Sequence, residues 1–308
     1  MVMRLYVILF STNIDFYVIL QFCKEYFMTT VDDKRKGSFI GLFVGDAVGT
    51  ALEFKVLGEQ PRITDMVGGG VFRLNPGEWT DDGAMALCLA KSIIDKKIID
   101  KSDILRLFAR WYLYGDNSSN GKCFDIGGTC NRYINEFINT KGMYHDAGDF
   151  VWEAGNGSIM RLSPAVIPWY DNPSRAMQAA VDQSITTHGN SEVLQYCAKL
   201  ANVLLQCYRG EYPEVDLEIK NTPESDLATS GYVVDTYDAA MWAFWNTDNF
   251  RDCILAAANL CGDADTIAAV AGQVAGAWYG FSSIPTEWVE KLAKIDELIE
   301  VYSQLAVL

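Results

Sequence analysis

The segment Gly262–Gly280, GDADTIAAVAGQVAGAWYG, carries a helical period and almost no side-chain bulk. Ile267, Val270, Ala271, Val274 and Trp278 recur at spacings of three and four and line one face. Gly272, Ala275, Gly276 and Tyr279 leave room on another face for a second backbone to approach. The same period governs most of the chain from Asp33 onward. Phe39, Leu42, Phe43, Ala47, Ala51 and Phe54 follow it, as do Leu87, Cys88, Lys91 and Ile94. Ile104, Leu107, Phe108 and Trp111 form a third run, and Val193, Leu194, Cys197, Leu200, Ala201 and Leu204 a fourth. Strand-like alternation is almost absent, and Gly-, Asn- and Pro-rich loops fall at 58–77, 114–128, 141–158, 169–174 and 209–232. With no internal repeat and no linker composition, these runs predict a single compact, all-α, multi-helix domain.

The quoted segment opens on Asp263-Ala264-Asp265-Thr266, and Thr80-Asp81-Asp82 opens another Ala-rich helical run. One acidic helix start is ordinary, because Thr and Asp suit N-caps and first turns and the helix dipole favours carboxylates there. Two in one chain supply four carboxylates and two hydroxyls, the hard oxygen donors that Mg²⁺ or Mn²⁺ prefers. If buried together they would repel each other unless a cation lay between them, and cation pairs of this kind serve hydrolytic centres.

Composition narrows the partners. Of 308 residues half are hydrophobic and 21% charged, which excludes disorder. A net charge of −15 argues against nucleic acid or an anionic membrane, both of which demand clustered Lys and Arg. An anionic ligand must therefore be held by cations or backbone amides. The eight cysteines form no CxxC pair and no framework, so they read as reduced core residues in a cytoplasmic chain. Only His145 and His188 could serve a zinc site, too few for one. Residues 1–27 are apolar but interrupted by Arg4, Asn13, Asp15, Gln21, Lys24 and Glu25, so they fit neither a membrane span nor a good signal peptide. They are expected to be a dispensable extension, with the functional domain over 28–308.

Further groups could do chemistry. Asp46 and Glu53, seven residues apart, would share a helix face with Thr50; alternatively Asp46 hydrogen-bonds a neighbouring loop and Glu53 is a solvated helix end. Ala154-Gly155-Asn156-Gly157-Ser158-Ile159-Met160-Arg161 suits an anion-binding turn whose amides point at the ligand, helped by a helix starting after Ser158, or else an ordinary Asn-Gly turn. His188, in Thr186-Thr187-His188-Gly189-Asn190, could meet a phosphate or be a satisfied core residue. Asp125 precedes a glycine pair and a helix in Cys123-Phe124-Asp125-Ile126-Gly127-Gly128-Thr129.

In their order GDAVGTALEF, WTDDGAMAL, FDIGGT, GNGSIMR, TTHGN and GDADTIAAVAGQVAGAWYG, these segments resemble the ADP-ribosylglycohydrolase family from Lys36 to Gly280. Its members include dinitrogenase-reductase-activating hydrolases and ADP-ribosyl-arginine and ADP-ribosyl-serine hydrolases. The resemblance implies a binuclear Mg²⁺ or Mn²⁺ centre on Thr80, Asp81, Asp82, Asp263, Asp265 and Thr266, holding the ribose diol. It implies phosphates against Gly155, Asn156, Gly157, Ser158, Ile159 and Met160, with His188 on the ligand side. It offers two residues for acid/base work: Glu53, matching the serine-type enzymes, and Asp125, matching the bacterial activating type. The second motif departs here, since Gly128 stands where that type has Asn, so Glu53 is favoured. The implied reaction is hydrolysis at the anomeric carbon of an ADP-ribosylated protein side chain or small molecule, by a monomer. The alternative is a non-catalytic ADP-ribose-binding or structural member of the same fold.

Overall fold

The computed structural model describes the backbone of residues 16–308 and side chains from residue 30. The expected extension over 1–27 lies outside the described residues as far as residue 15, and beyond that only its helical backbone is described. Thirteen α-helices are present among the described residues: α1 (Phe16–Gly49), α2 (Asp81–Lys96), α3 (Lys101–Tyr114), α4 (Gly128–Asn139), α5 (Ser163–Val166), α6 (Pro173–Ser184), α7 (Ser191–Arg209), α8 (Leu217–Asn221), α9 (Val233–Trp245), α10 (Phe250–Ala258), α11 (Ala264–Tyr279), α12 (Thr286–Lys291) and α13 (Ile295–Leu305). Pairing of strand type is confined, among them, to two isolated bridges, Gly69 with Leu74 and Gly155 with Tyr232. The all-α expectation holds. No described helix is long and apolar enough to cross a membrane.

The axis of the fold is an antiparallel seam between α1 and α11. Gly37 faces Gly276, Gly41 faces Gly272, Gly45 faces Ala268 and Gly49 faces Ala264. A Cβ placed on Gly41 would lie 2.2 Å from the carbonyl oxygen of Gly272, and one on Gly45 2.0 Å from that of Ala268. Small residues at a four-residue interval thus let two backbones touch, which is the use of Gly272 and Gly276 that the sequence suggested. Because the helices run oppositely, the seam ends with the C-terminus of α1 against the N-terminus of α11. Around it the core continues through Phe39, Phe43 and Trp79, whose rings meet edge to face at 5.2 and 5.1 Å, into the buried faces of α2, α7, α9 and α10.

One helical reading fails. The period running through Ala51 and Phe54 is not a helix: α1 stops at Gly49, residues 50–54 form turns, and Phe54 is exposed with a left-handed backbone (φ 57°). Continuing α1 would drive it into the chain around Gly70, whose own Cβ position lies 2.1 Å from the Thr50 carbonyl oxygen.

Candidate active site

Three chain segments converge where the seam ends. Asp265 enters in the first turn of α11, Asp81 and Asp82 in the first turn of α2, and Glu53 from the turn after α1. Carboxylate oxygens of Asp81, Asp82 and Asp265 lie within 4.8 Å of one another, and so do those of Glu53, Asp125 and Asp265. The two triads share Asp265. The Thr80 hydroxyl donates to Asp265 Oδ2 at 3.2 Å, and the Thr266 hydroxyl to Asp82 Oδ1 at 3.4 Å, so both threonines stand inside the cluster. Asp263 sits to one side, where its Oδ2 accepts a short hydrogen bond from the Asn156 amide.

The cluster is short of positive charge. No Lys or Arg forms an ion pair with any of these carboxylates among the described residues. Burial, followed by the charges of Asp265 and Asp125, pushes Glu53 up to about 12. Burial and the neighbouring Asp81 and Asp265 push Asp125 up to about 10. Asp81 and Asp82 are raised well above the carboxylate range, again chiefly by burial. Asp263 and Asp265 rise less, to about 7 and about 6, because hydrogen-bond donors partly offset their burial. Buried oxygens of Glu53 (Oε2), Asp82 (Oδ2), Asp265 (Oδ1) and Thr50 (Oγ1) have no hydrogen-bond partner. Unpaired buried carboxylate oxygens are costly unless something cationic satisfies them. An all-oxygen set of this kind fits a hard divalent cation.

Glu53 is held by the backbone that follows it. The Phe54 N–H donates to the Gly262 carbonyl at 2.7 Å and the Gly262 N–H to the Lys55 carbonyl at 2.9 Å, clasping the post-α1 turn to the entry of α11. The expectation that Glu53 shares a helix face with Asp46 is thereby corrected, since it lies beyond the helix. The solvated alternative fails as well, because Glu53 is only 2% exposed. Asp46 does bond another segment, but that segment is the start of α2, through the Thr80 and Gly83 N–H groups, and not a loop. Phe54, Asp125 and Cys261 all take left-handed backbones (φ 57°, 59° and 62°) around the cluster. Asp tolerates this region, whereas the other two need their surroundings to enforce it.

A cleft of about 370 Å³ opens onto the cluster and is lined by Glu53, Asp81, Asp125, Asp263, Asp265 and Thr266. Gly155, Asn156, Gly157, Met160 and His188 line it too, so the predicted carboxylates and the predicted phosphate loop face one space. Ser158 and Ile159 do not line it. The Ser158 hydroxyl accepts from Ser184 at 2.9 Å, and Ile159 is fully buried in the core. No helix starts after Ser158, contrary to expectation: the Asn156 carbonyl accepts from both Ile159 and Met160 in a tight turn, and α5 begins only at Ser163. The amides of Asn156, Ile159 and Met160 are thus engaged within the protein, leaving those of Gly155, Gly157 and Ser158 without an acceptor among the described residues. A Cβ on Gly157 would lie 2.7 Å from the His188 ring, so glycine is what lets His188 reach this loop. Burial and then the nearby Arg161 charge depress His188 to about 3, making it a neutral imidazole on the cleft wall. Its Nδ1 is 2.8 Å from the Thr187 hydroxyl, which also accepts from Arg161 at 2.8 Å.

The sequence matches the ADP-ribosylglycohydrolase family over residues 28–308. The chain belongs to that family. Among its relatives, the ADP-ribosylarginine hydrolase Tri1 of Serratia proteamaculans (strain 568) is 41% identical over 294 residues, covering 89% of this chain and 79% of the relative. The enzyme of the same name from Pseudomonas putida (strain GB-1) is 43% identical over 282 residues, covering 85% and 74%. The ADP-ribosyl-[dinitrogen reductase] glycohydrolase of Rhodospirillum rubrum is 33% identical, covering 85% and 91%. Among solved structures, an ADP-ribosylglycohydrolase-related protein complex superposes with a TM-score of 0.77 at 32% identity, covering 90% of this chain and 98% of that one. Family membership makes this ADP-ribosylglycohydrolase an enzyme, a glycosidase-type hydrolase. Sequence reasoning missed the support beneath its site: the Thr229 and Gly231 carbonyls accept from the Asp263 and Asn156 amides at 2.9 and 3.0 Å. Only the glycine at 231 hinted at it.

Proposed function

We propose that the chain hydrolyses ADP-ribosylated arginine on proteins, using two divalent cations, Mg²⁺ or Mn²⁺. The arginine linkage is supported by the two relatives of that activity at 41% and 43% identity. The cation requirement is carried by one observation, the pair of acidic triads sharing Asp265 with no basic partner. Thr80, Asp81, Asp82, Asp263, Asp265 and Thr266 would hold the cations, with Glu53 bordering them. Bound there, the pair would supply Lewis acidity toward the ribose diol and the attacking water.

The chain's own residues do the rest. The free amides of Gly155 and Gly157 offer donors to the pyrophosphate, a role that suits so acidic a protein, and His188 meets the ligand as an uncharged ring. Glu53 moves the proton: water adds to the anomeric carbon, the bond to the guanidino nitrogen breaks, and that nitrogen leaves protonated. Buried, with one oxygen unpartnered and Asp125 beside it, Glu53 is placed to hold a proton until departure. Asp125, half-buried in the same cleft, is the secondary candidate.

The test is release of ADP-ribose from arginine-linked, serine-linked and O-acetyl substrates, each with and without EDTA. Turnover of the arginine-linked substrate, lost in chelator and restored by Mn²⁺, is expected. Preference for the serine linkage would reassign the substrate, and full activity in chelator would remove the cations from the account.

A further inference from the structure

A helix start leaves its first N–H groups without intrahelical partners, and an N-cap Thr ordinarily accepts one of them through its own hydroxyl. At α2 this does not happen. Thr80 has the extended backbone of an N-cap (φ −95°, ψ −151°), but its hydroxyl accepts no helix N–H and is turned toward Asp265, to which it donates. The bonds come from another helix: Asp46 Oδ1 accepts from the Thr80 N–H at 2.8 Å, and Oδ2 from the Gly83 N–H at 2.9 Å. Gly83 is the third residue of α2, the position an N-cap hydroxyl would itself serve.

Two glycines make that reach available. Gly45, beside Asp46, has no room for a Cβ against the Ala268 carbonyl, which fixes Asp46 at the seam. A Cβ on Gly83 would lie 2.6 Å from the Trp79 ring and 2.8 Å from the Phe43 ring, so glycine lets the first turn of α2 rest on α1. A fully buried carboxylate is an expensive way to cap a helix that already has a threonine at its N-cap. The expense is understandable if the threonine is wanted elsewhere.

We infer that Asp46 is a positioning residue that caps α2 in place of Thr80, freeing the Thr80 hydroxyl and orienting Asp81 and Asp82 for the cation centre. The inference rests on the cation reading of this cluster given under Proposed function.

A double-mutant cycle of Asp46→Ala and Thr80→Ala tests it with two readouts, thermal unfolding of metal-free protein and calorimetric titration with Mn²⁺. In the wild-type background Thr80→Ala should lower Tm only by the loss of its bond to Asp265, because the cap is intact, while weakening Mn²⁺ about ten-fold or more. Asp46→Ala should lower Tm and weaken Mn²⁺ by about ten- to a hundred-fold. In that background the Thr80 hydroxyl falls back onto its own helix, so adding Thr80→Ala should cost clearly more Tm than it does alone. Additive Tm effects, or wild-type Mn²⁺ affinity in Asp46→Ala, would overturn the inference. Should Asp46→Ala fail to fold, Asp46→Asn, which keeps one accepting oxygen, takes its place in the same cycle. Absence of Mn²⁺ binding by the wild type would refute the cation reading, and the metal-free Tm cycle would still decide the cap.

Discussion

Loading the acidic cluster with Mn²⁺ should expel protons. Glu53 and Asp125 stand at about 12 and about 10, and Asp81 and Asp82 well above the carboxylate range, so at about pH 7 all four hold protons in the metal-free protein. Asp265, at about 6, is already largely ionised. Carboxylates must be deprotonated to ligate, so loading the centre on Asp81, Asp82, Asp263 and Asp265 should release roughly two protons per molecule near neutrality, Glu53 keeping its own. Calorimetric titration in buffers of different ionisation heat reads this number as a slope. The stability consequence has a definite sign. A carboxyl raised above its unfolded value of about 4 contributes stability that is full below that pH and is lost as pH rises through the folded pKa. Metal-free protein is therefore penalised toward neutral pH, and the Tm gain from Mn²⁺ should grow between about pH 5 and pH 8. His188 works the other way, its depressed pKa giving stability that is lost as pH falls below about 6.5. That contribution is common to both forms and cancels in the difference. Tight Mn²⁺ binding with no buffer dependence would refute the reasoning, because the cluster would then be ionised without its cations.

Other consequences are direct. Removing a general acid or base costs about 10² to 10⁴ in rate, so Glu53→Gln should lower kcat by that order with Mn²⁺ and ADP-ribose still bound, and Asp125→Asn should cost less; the reverse order in steady-state assays would exchange their roles. Gly157→Val places its Cβ 2.7 Å from the His188 ring, so ADP-ribose affinity should fall while Mn²⁺ affinity holds, as two separate titrations would show. Gly272→Val puts a side chain 2.0 Å from the Gly41 carbonyl, and urea unfolding should register a loss of about 3 kcal/mol or more, the upper range for overpacking.

How much of this was legible in the sequence depends on what each residue touches. The acidic helix starts at Asp81 and Asp265 could be read because each lies in a short segment whose local pattern, hard donors followed by an apolar helical run, carries its meaning. Gly272 and Gly276 announced a close neighbour. The partner stripe at Gly37, Gly41, Gly45 and Gly49 shows the same four-residue interval, but the register joining the two is a tertiary fact. Glu53 was found as a site residue for the wrong geometric reason: the helical spacing that linked it to Asp46 ends at Gly49, and the clasp to Gly262 is what delivers it. A helix after Ser158 was expected from the glycine turn alone, yet the tight turn closed by the Asn156 carbonyl takes up the intervening chain. Asp46 capping α2, and Thr229 and Gly231 supporting Asp263 and Asn156, join residues far apart in the chain by one or two hydrogen bonds, and no periodicity reports those.

The glycine seam gathers one acidic cluster around Asp265, the proposed seat of a cation pair. Anomalous scattering from crystals grown with Mn²⁺ tests it most directly. Two peaks are predicted, one among Asp81, Asp82 and Asp265 and one on the Asp263 and Thr266 side of Asp265. A map with no peak touching Asp265, from protein that is active in the same Mn²⁺ solution, would contradict it.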